Sequence, residues 1–217
     1  MTRHLKRHKM PKQWSVPRKG TKFIVRPSSN KEGGIPILIL LRDLMKIAQT
    51  KREVKKALHK KYILLNHKPA KDEKHSAVLF DVLTIVPSKK SYRVILSKKG
   101  KFDLEEIKDS SSEKKVSKIV NKKVLKGKKV QLNLSDGRNI LSNIKCEIND
   151  SVLINLKNRK IDKCLPLVEK AKVVVSAGKH TGKIGNVDKI KKERHIAKLN
   201  IDGNEVNVLI KQLMVVA

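Results

Sequence analysis

From Met1 through Lys31 the chain carries Arg3, Lys6, Arg7, Lys9, Lys12, Arg18, Lys19, Lys22, Arg26 and Lys31 without a single carboxylate, and Glu32 is its first acidic residue. Such a stretch cannot close a core on its own. The cations repel one another, Pro11, Pro17 and Pro27 interrupt any long helix, and apolar anchors such as Trp14, Phe23 and Ile24 do not build a continuous period. Residues 1–35 are therefore predicted to form a basic extended arm, largely disordered until a polyanion orders it. Whether Trp14 and Phe23 stack on bases or anchor on protein stays open at this level.

The remainder of the chain has the same sign, with a formal net charge of +32 on 217 residues. Nucleic acid offers a dense phosphate array whose condensed counterions are released on binding, the largest generic source of affinity for Lys and Arg. An anionic membrane is the competing polyanion. Against it, the apolar run Ile37 to Leu41, as long as any in the chain, is too short to span, and no apolar segment of a signal peptide follows the basic start. The expectation is a soluble intracellular protein with no membrane partner.

Hydrophobic residues make up 39% of the chain, below the usual share of about 45–50%, which favours several small modules over one large core. Cys146 and Cys164 are the only cysteines and form no Cys-x-x-Cys pattern, so neither a zinc site nor a disulfide framework is signalled, and both thiols are expected reduced and partly buried.

After the arm, Ile37, Leu40, Leu41, Leu44 and Ala48 recur at helical spacing behind Pro36, a residue tolerated in a first turn. Thr50-Lys51-Arg52-Glu53 matches a capping box, so a second helix is predicted to begin there. Its apolar stripe is Val54, Ala57 and Leu58, and Arg52, Lys55, Lys56 and His59 line nearly the opposite face. Lys51 and Arg52 in the first turn oppose the helix dipole, a broken local rule that points to function. A turn at Asn66 to Pro69 and a strand from Val82 to Val86 complete this module. From Tyr92 onward the apolar period becomes two. An exposed loop at Asp109 to Glu113 and hairpins at Asp136-Gly137 and Asn158-Arg159 fit a mostly β middle module, and Ala171 to Ala217 reads as five short strands able to close into a small barrel.

A charged helix face is most often a solvated surface, yet a merely soluble face mixes signs, and here the one acid, Glu53, belongs to the cap. Contact with RNA is the better reading. Gly178-Lys179-His180-Thr181-Gly182-Lys183-Ile184-Gly185 invites comparison with a phosphate loop, but a Walker sequence needs four residues between its glycines and Ser or Thr after its Lys. These glycines are turn glycines, and Lys179, His180 and Lys183 are added to them as candidate phosphate contacts. The histidines fall among lysines with no nucleophile pattern, so no catalytic residue, cofactor, metal or small-molecule substrate is expected.

His4-Leu5-Lys6-Arg7 with Pro11-Lys12-Gln13-Trp14, then Arg52-Glu53-Val54, Asp136-Gly137-Arg138, Asn149-Asp150-Ser151-Val152 and the Gly178 to Gly185 loop together resemble, in order, the archaeal and eukaryotic small-subunit ribosomal protein family S-four-e. The chain departs from that pattern at Gln13, Lys51 and Ala177-Gly178. The resemblance implies an α+β multi-module fold: basic arm 1–35, a small helical/β S-four-type RNA-binding domain 36–90, a β-rich central domain 91–168 and an SH3-like KOW β-barrel 169–217. It also implies a non-enzymatic, structural rRNA-binding component of the small ribosomal subunit, in the cytoplasm, with small-subunit rRNA and neighbouring ribosomal proteins as partners. The residues expected to touch RNA are Arg3, His4, Lys6, Arg7, Lys9, Lys12, Trp14, Arg18 and Lys19 in the arm, Lys51, Arg52, Lys55, Lys56 and His59 on the helix, and Lys179, His180 and Lys183 in the loop. The rival class is an RNA-binding translation or transcription factor with a KOW module; an RNA-modifying enzyme would need a large catalytic domain for which the small β modules leave no room.

Overall fold

The computed structural model describes residues 4–31, 33–142, 144–191 and 194–216, which fall into two units, 1–97 with 101–113 and 98–100 with 114–217. In the first unit the arm is not loose. Leu5–Lys6 (β1) pairs antiparallel with Phe23–Ile24 (β2), and Met10, Trp14 and Val16 share one core with Ile35, Ile37 and Leu38. Trp14 is 1% exposed, and its indole N–H donates to the Gly34 carbonyl at 3.0 Å. The Phe102 N–H donates to the Gln13 carbonyl at 2.7 Å. These contacts correct the expectation of an arm disordered without RNA. Its apolar residues are too scattered to register as a period, but they pack onto a core that other elements build, and burying one large apolar side chain contributes about 1.5–3 kcal/mol.

Gly34–Pro36 (β3) leads into a short helix, Ile37–Ile39 (α1), which continues as a π-helical turn, Leu40–Leu44. Pro36 thus ends a strand and stands just ahead of the first turn. Lys51–His59 (α2) follows, then Ile63–Leu65 (β4), Lys68–Pro69 (β5), Ser76–Val78 (β6), Val82–Ile85 (β7), Lys90–Leu96 (β8) and Phe102–Ile107 (β9). β3 pairs with β6, and the others form an antiparallel sheet in the order β5-β4-β7-β8-β9. The turn expected over Asn66 to Pro69 is confined to Asn66 and His67, both at positive φ, 52° and 60°, and Lys68 and Pro69 form β5. The buried Asn66 amide donates to Asp81 Oδ1 at 2.7 Å, which fixes that turn against the start of β7. The module boundary expected at 90/91 falls inside this sheet, since β8 pairs with β7 from Val82↔Arg93 to Ile85↔Lys90. The segment read as an exposed loop is a helical turn, Asp109–Ser112 (α3), whose Ser112 is buried and donates its hydroxyl to the Asp109 carbonyl at 2.6 Å.

The second unit is all β. Lys114–Val124 (β10), Val130–Leu134 (β11), Asn139–Leu141 (β12), Ser151–Asn155 (β13) and Lys160–Leu165 (β14) form a sheet in the order β12-β11-β10-β13-β14 around Ile119, Leu132, Val152 and Ile154. Lys172–Val175 (β15), Ile184–Lys191 (β16), Ile196–Ile201 (β17), Asn204–Leu209 (β18) and Leu213–Val215 (β19) form a second one in the order β18-β17-β16-β15-β19 around Val173, Val187, Leu199 and Leu213. The alternation read in the sequence is the inward face of each strand.

Polar contacts tie these two sheets together. Asp150 accepts the Leu167 N–H at 2.9 Å, and the Ser151 hydroxyl oxygen accepts the Val215 N–H at 2.9 Å. The Asn149-Asp150-Ser151-Val152 motif is therefore a structural joint. Two lysines of β10 are buried at the same place in the chain. Lys118 donates to the Ile210 carbonyl at 2.5 Å, and burial pulls its ammonium down to about 8. Lys115, 1% exposed, lies 2.6 Å from the Asp136 carboxylate. Burial raises the Asp136 pKa, but the Lys115 charge and hydrogen bond outweigh that and leave it below the ordinary value. Asp136 belongs to the hairpin predicted at Asp136-Gly137, with Gly137 at φ 83°.

Candidate nucleic-acid interface

The helix α2 begins where its sequence predicts. The Thr50 hydroxyl oxygen accepts the Glu53 N–H at 3.3 Å, while the Glu53 carboxylate accepts the Gln49 N–H at 2.8 Å and the Thr50 N–H at 3.4 Å. Hydrogen bonds first from Gln49 and then from Thr50 hold the Glu53 carboxyl below its ordinary value. Val54 and Leu58 are buried and Ala57 half-buried, so Lys51, Arg52, Lys55, Lys56 and His59 are all exposed. They form two rows with different surroundings. Lys51 lies 3.0 Å and Lys55 4.0 Å from the buried Glu73 carboxylate. Burial alone raises the Glu73 pKa, but hydrogen bonds from Asp72 and Lys51 bring it down to about 2. The lysine that opposes the helix dipole thus has a carboxylate to offset it, 22 positions further along the chain, which no sequence signal announced. Arg52, Lys56 and His59 form the second row, one turn apart, and among the described residues no ion pair engages them.

In the arm, His4, Lys6, Lys9, Lys12, Arg18 and Lys19 are exposed, and Arg3 lies outside the described residues. Two of the expected residues are engaged within the protein itself. Trp14 is in the core and its ring has no free face for a base. Arg7 donates to the Pro17 carbonyl at 2.8 Å, the Thr21 carbonyl at 2.9 Å and the Thr21 hydroxyl at 2.8 Å, so it closes the arm's own loop. Phe23 takes the opposite course to Trp14 and is 47% exposed.

The chain folds the arm beside α2. A cavity of about 560 Å³ is lined by His4, Phe23, Arg26, Lys31, Lys51 and Lys74 among others, and a neighbouring one of about 480 Å³ shares His4, Arg26 and Lys31 with it. His4 and Lys51 were expected from sequence to touch RNA. Arg26, Lys31 and Lys74 were missed as site residues, although the first two belong to the uncompensated run that signalled the arm, and Phe23 had been left open between base and protein.

The loop 178–185 belongs to the second unit. Lys179 is exposed, and His180 and Lys183 are half-buried. Gly178 and Gly182 have φ of 96° and 84°, as turn glycines should. Gly185 lies in β16 and is needed for a different reason: a Cβ there would sit 2.5 Å from the Asn200 carbonyl oxygen and 2.7 Å from the Ile201 side chain. The reading of Gly185 as a turn glycine is therefore corrected to a close approach between β16 and β17. The thiols are free, and burial, with Cys146 and Asp150 nearby, pushes Cys164 up to about 12, which makes it a poor nucleophile. Among the described residues no group of three or more His, Cys, Asp or Glu is placed to hold a metal ion, and no helix is long and apolar enough to cross a membrane.

Comparison with known proteins places these features in a family. A family model described as "Ribosomal family S4e" matches residues 88–161, and one described as "RS4NT (NUC023) domain" matches residues 1–29. The small ribosomal subunit protein eS4 of Methanocella arvoryzae is 38% identical over 197 residues, covering 89% of this chain and 83% of that protein. The eS4 protein of Archaeoglobus fulgidus is 37% identical over 210 residues, covering 94% and 88%. The crystal structure of the 30S ribosomal protein S4e from Thermoplasma acidophilum superposes with a TM-score of 0.74 at 21% identity, over 86% of this chain and 96% of that one, so the fold is shared.

Proposed function

The chain belongs to the ribosomal S4e family, and from that membership we propose that it is a structural, non-enzymatic component of the small ribosomal subunit that binds small-subunit rRNA. One observation carries the mechanism: the Arg52, Lys56 and His59 row stands outward on a rigid, capped helix with no described acid engaging it. The helix fixes their backbone in advance, so only side-chain freedom is lost when phosphates meet them, and each contact releases condensed counterions. The exposed arm lysines and the Gly178 to Gly185 loop add further contacts of the same kind. Within this reading, the S-four-type RNA-binding domain expected over residues 36–90 extends through the sheet to β9, and residues 169–217 supply a KOW-type, SH3-like barrel. Assembly with neighbouring subunit proteins and residence on cytoplasmic ribosomes follow.

Filter binding to purified small-subunit rRNA across a salt series tests the proposal. If half a dozen phosphates are neutralised, the log–log slope is expected at about −4 to −5, taking roughly 0.7 to 0.9 per contact; a slope near zero refutes the phosphate account. The rival, a translation or transcription factor with a KOW module, binds transiently. Retention on small subunits after a high-salt wash supports the structural role, and release into the wash supports the rival.

A further inference from the structure

Resting on the rRNA-binding reading, we infer that the trough between the β1–β2 ladder and the start of α2 is a site for an unpaired RNA nucleotide, its base stacked on Phe23 and its phosphates met by the cations of the rim. The ladder sets Lys6 opposite Phe23 and Leu5 opposite Ile24, and this brings the rings of His4 and Phe23 to 5.4 Å between centroids at 49°. Phe23 is 47% exposed, with the Lys22 ammonium 5.5 Å from its ring centre. A large aromatic left half in solvent, when Trp14 from the same arm is buried, offers ring surface to a ligand beside the Lys22 ammonium that stands over it. The surroundings define that ligand. The cavity of about 560 Å³ carries Arg26, Lys31, Lys51 and Lys74 on its lining, together with the apolar Leu5 and Ile24. Apolar and aromatic surface flanked by cations matches a base flanked by phosphates, the pattern of sequence-tolerant recognition of single strands. In a duplex the base faces are hidden in the stack, so a paired segment has nothing to place on Phe23. A simple polyanion would use the cations but not the ring.

That distinction supplies the test. The full chain and its Phe23→Leu and Phe23→Tyr variants are titrated by fluorescence anisotropy against a short labelled oligouridylate, an RNA duplex of equal charge and inorganic polyphosphate. Thermal melting confirms that each variant folds. Phe23→Leu is expected to weaken oligouridylate binding about fivefold or more, Phe23→Tyr to retain it, and both to bind duplex and polyphosphate as the unaltered chain does. Unchanged oligouridylate affinity in Phe23→Leu, or an equal loss on polyphosphate, overturns the site. Either result leaves the rRNA-binding reading standing as long as the unaltered chain still binds small-subunit rRNA with a steep salt dependence.

Discussion

The lysines of α2, in the first unit, and those of β10, in the second unit, carry the same charge on the same side chain and have opposite fates. Lys55 and Lys56 sit on the outer face of a helix whose inner stripe is Val54 and Leu58, and they stay exposed. Lys115 and Lys118 lie on a central strand whose two faces are covered, and they are buried, one against Asp136 and the other against the Ile210 carbonyl. A helix on the surface always leaves one side to water, whereas a strand with neighbours on both edges does so only if one face is uncovered. Positive charge in this protein is therefore two populations. One is available to phosphate, and the other holds the β unit together.

Four variants break or sharpen that contrast. Trp14→Ala tests whether the arm's display of cations depends on a core anchor. It is expected to destabilise the first unit by about 3–5 kcal/mol, read by urea denaturation, and a loss near zero would return the arm to the disordered state predicted from sequence. Asp136→Asn leaves Lys115 as a buried ammonium without its carboxylate, and is expected to cost about 3–5 kcal/mol. A cost no larger than that of a surface change would mean that Lys115 behaves like the α2 lysines.

Lys118 provides a pH signature. Its pKa falls from 10.5 unfolded to about 8 folded, so the folded state releases its proton first and is stabilised as pH rises from about 8 to 10.5. The unaltered chain should gain on the order of 2 kcal/mol across that window relative to Lys118→Met. Parallel stability curves for the two proteins would remove Lys118 from the buried population. The smallest effect on stability belongs to the exposed population: changing Arg52, Lys56 and His59 to Gln should shift stability by no more than about 0.5 kcal/mol while weakening rRNA binding. Unchanged affinity with folding intact would make that row an ordinary solvated face.

Much of the candidate site was legible before the fold was known. The capping box, the side of α2 that faces water, the turn at Asn66 and His67 and the hairpin at Asp136-Gly137 are local, each set by residues within a few positions of one another, and all stand as predicted. The ion pair between Lys51 and Glu73 was not legible, because it joins residues on different elements. The same holds for the trough, where His4, Phe23, Lys51 and Lys74 converge from distant segments.

The sequence by itself determined the sign of the partner, the periods of the elements and their capping chemistry, since these follow from composition and from spacings along one chain segment. Only the tertiary structure decided which cations are free to meet phosphate and which of two lone aromatics points outward. Trp14 and Phe23 carry the same local signal, a single aromatic among cations. One is buried because its ring and indole N–H find Gly34 and the apolar core, and the other stays half in solvent because the alternation along β2 turns its neighbour Ile24, and not Phe23, to that core. Burial depends on what packs against a side chain, and that is a property of residues far away in the chain.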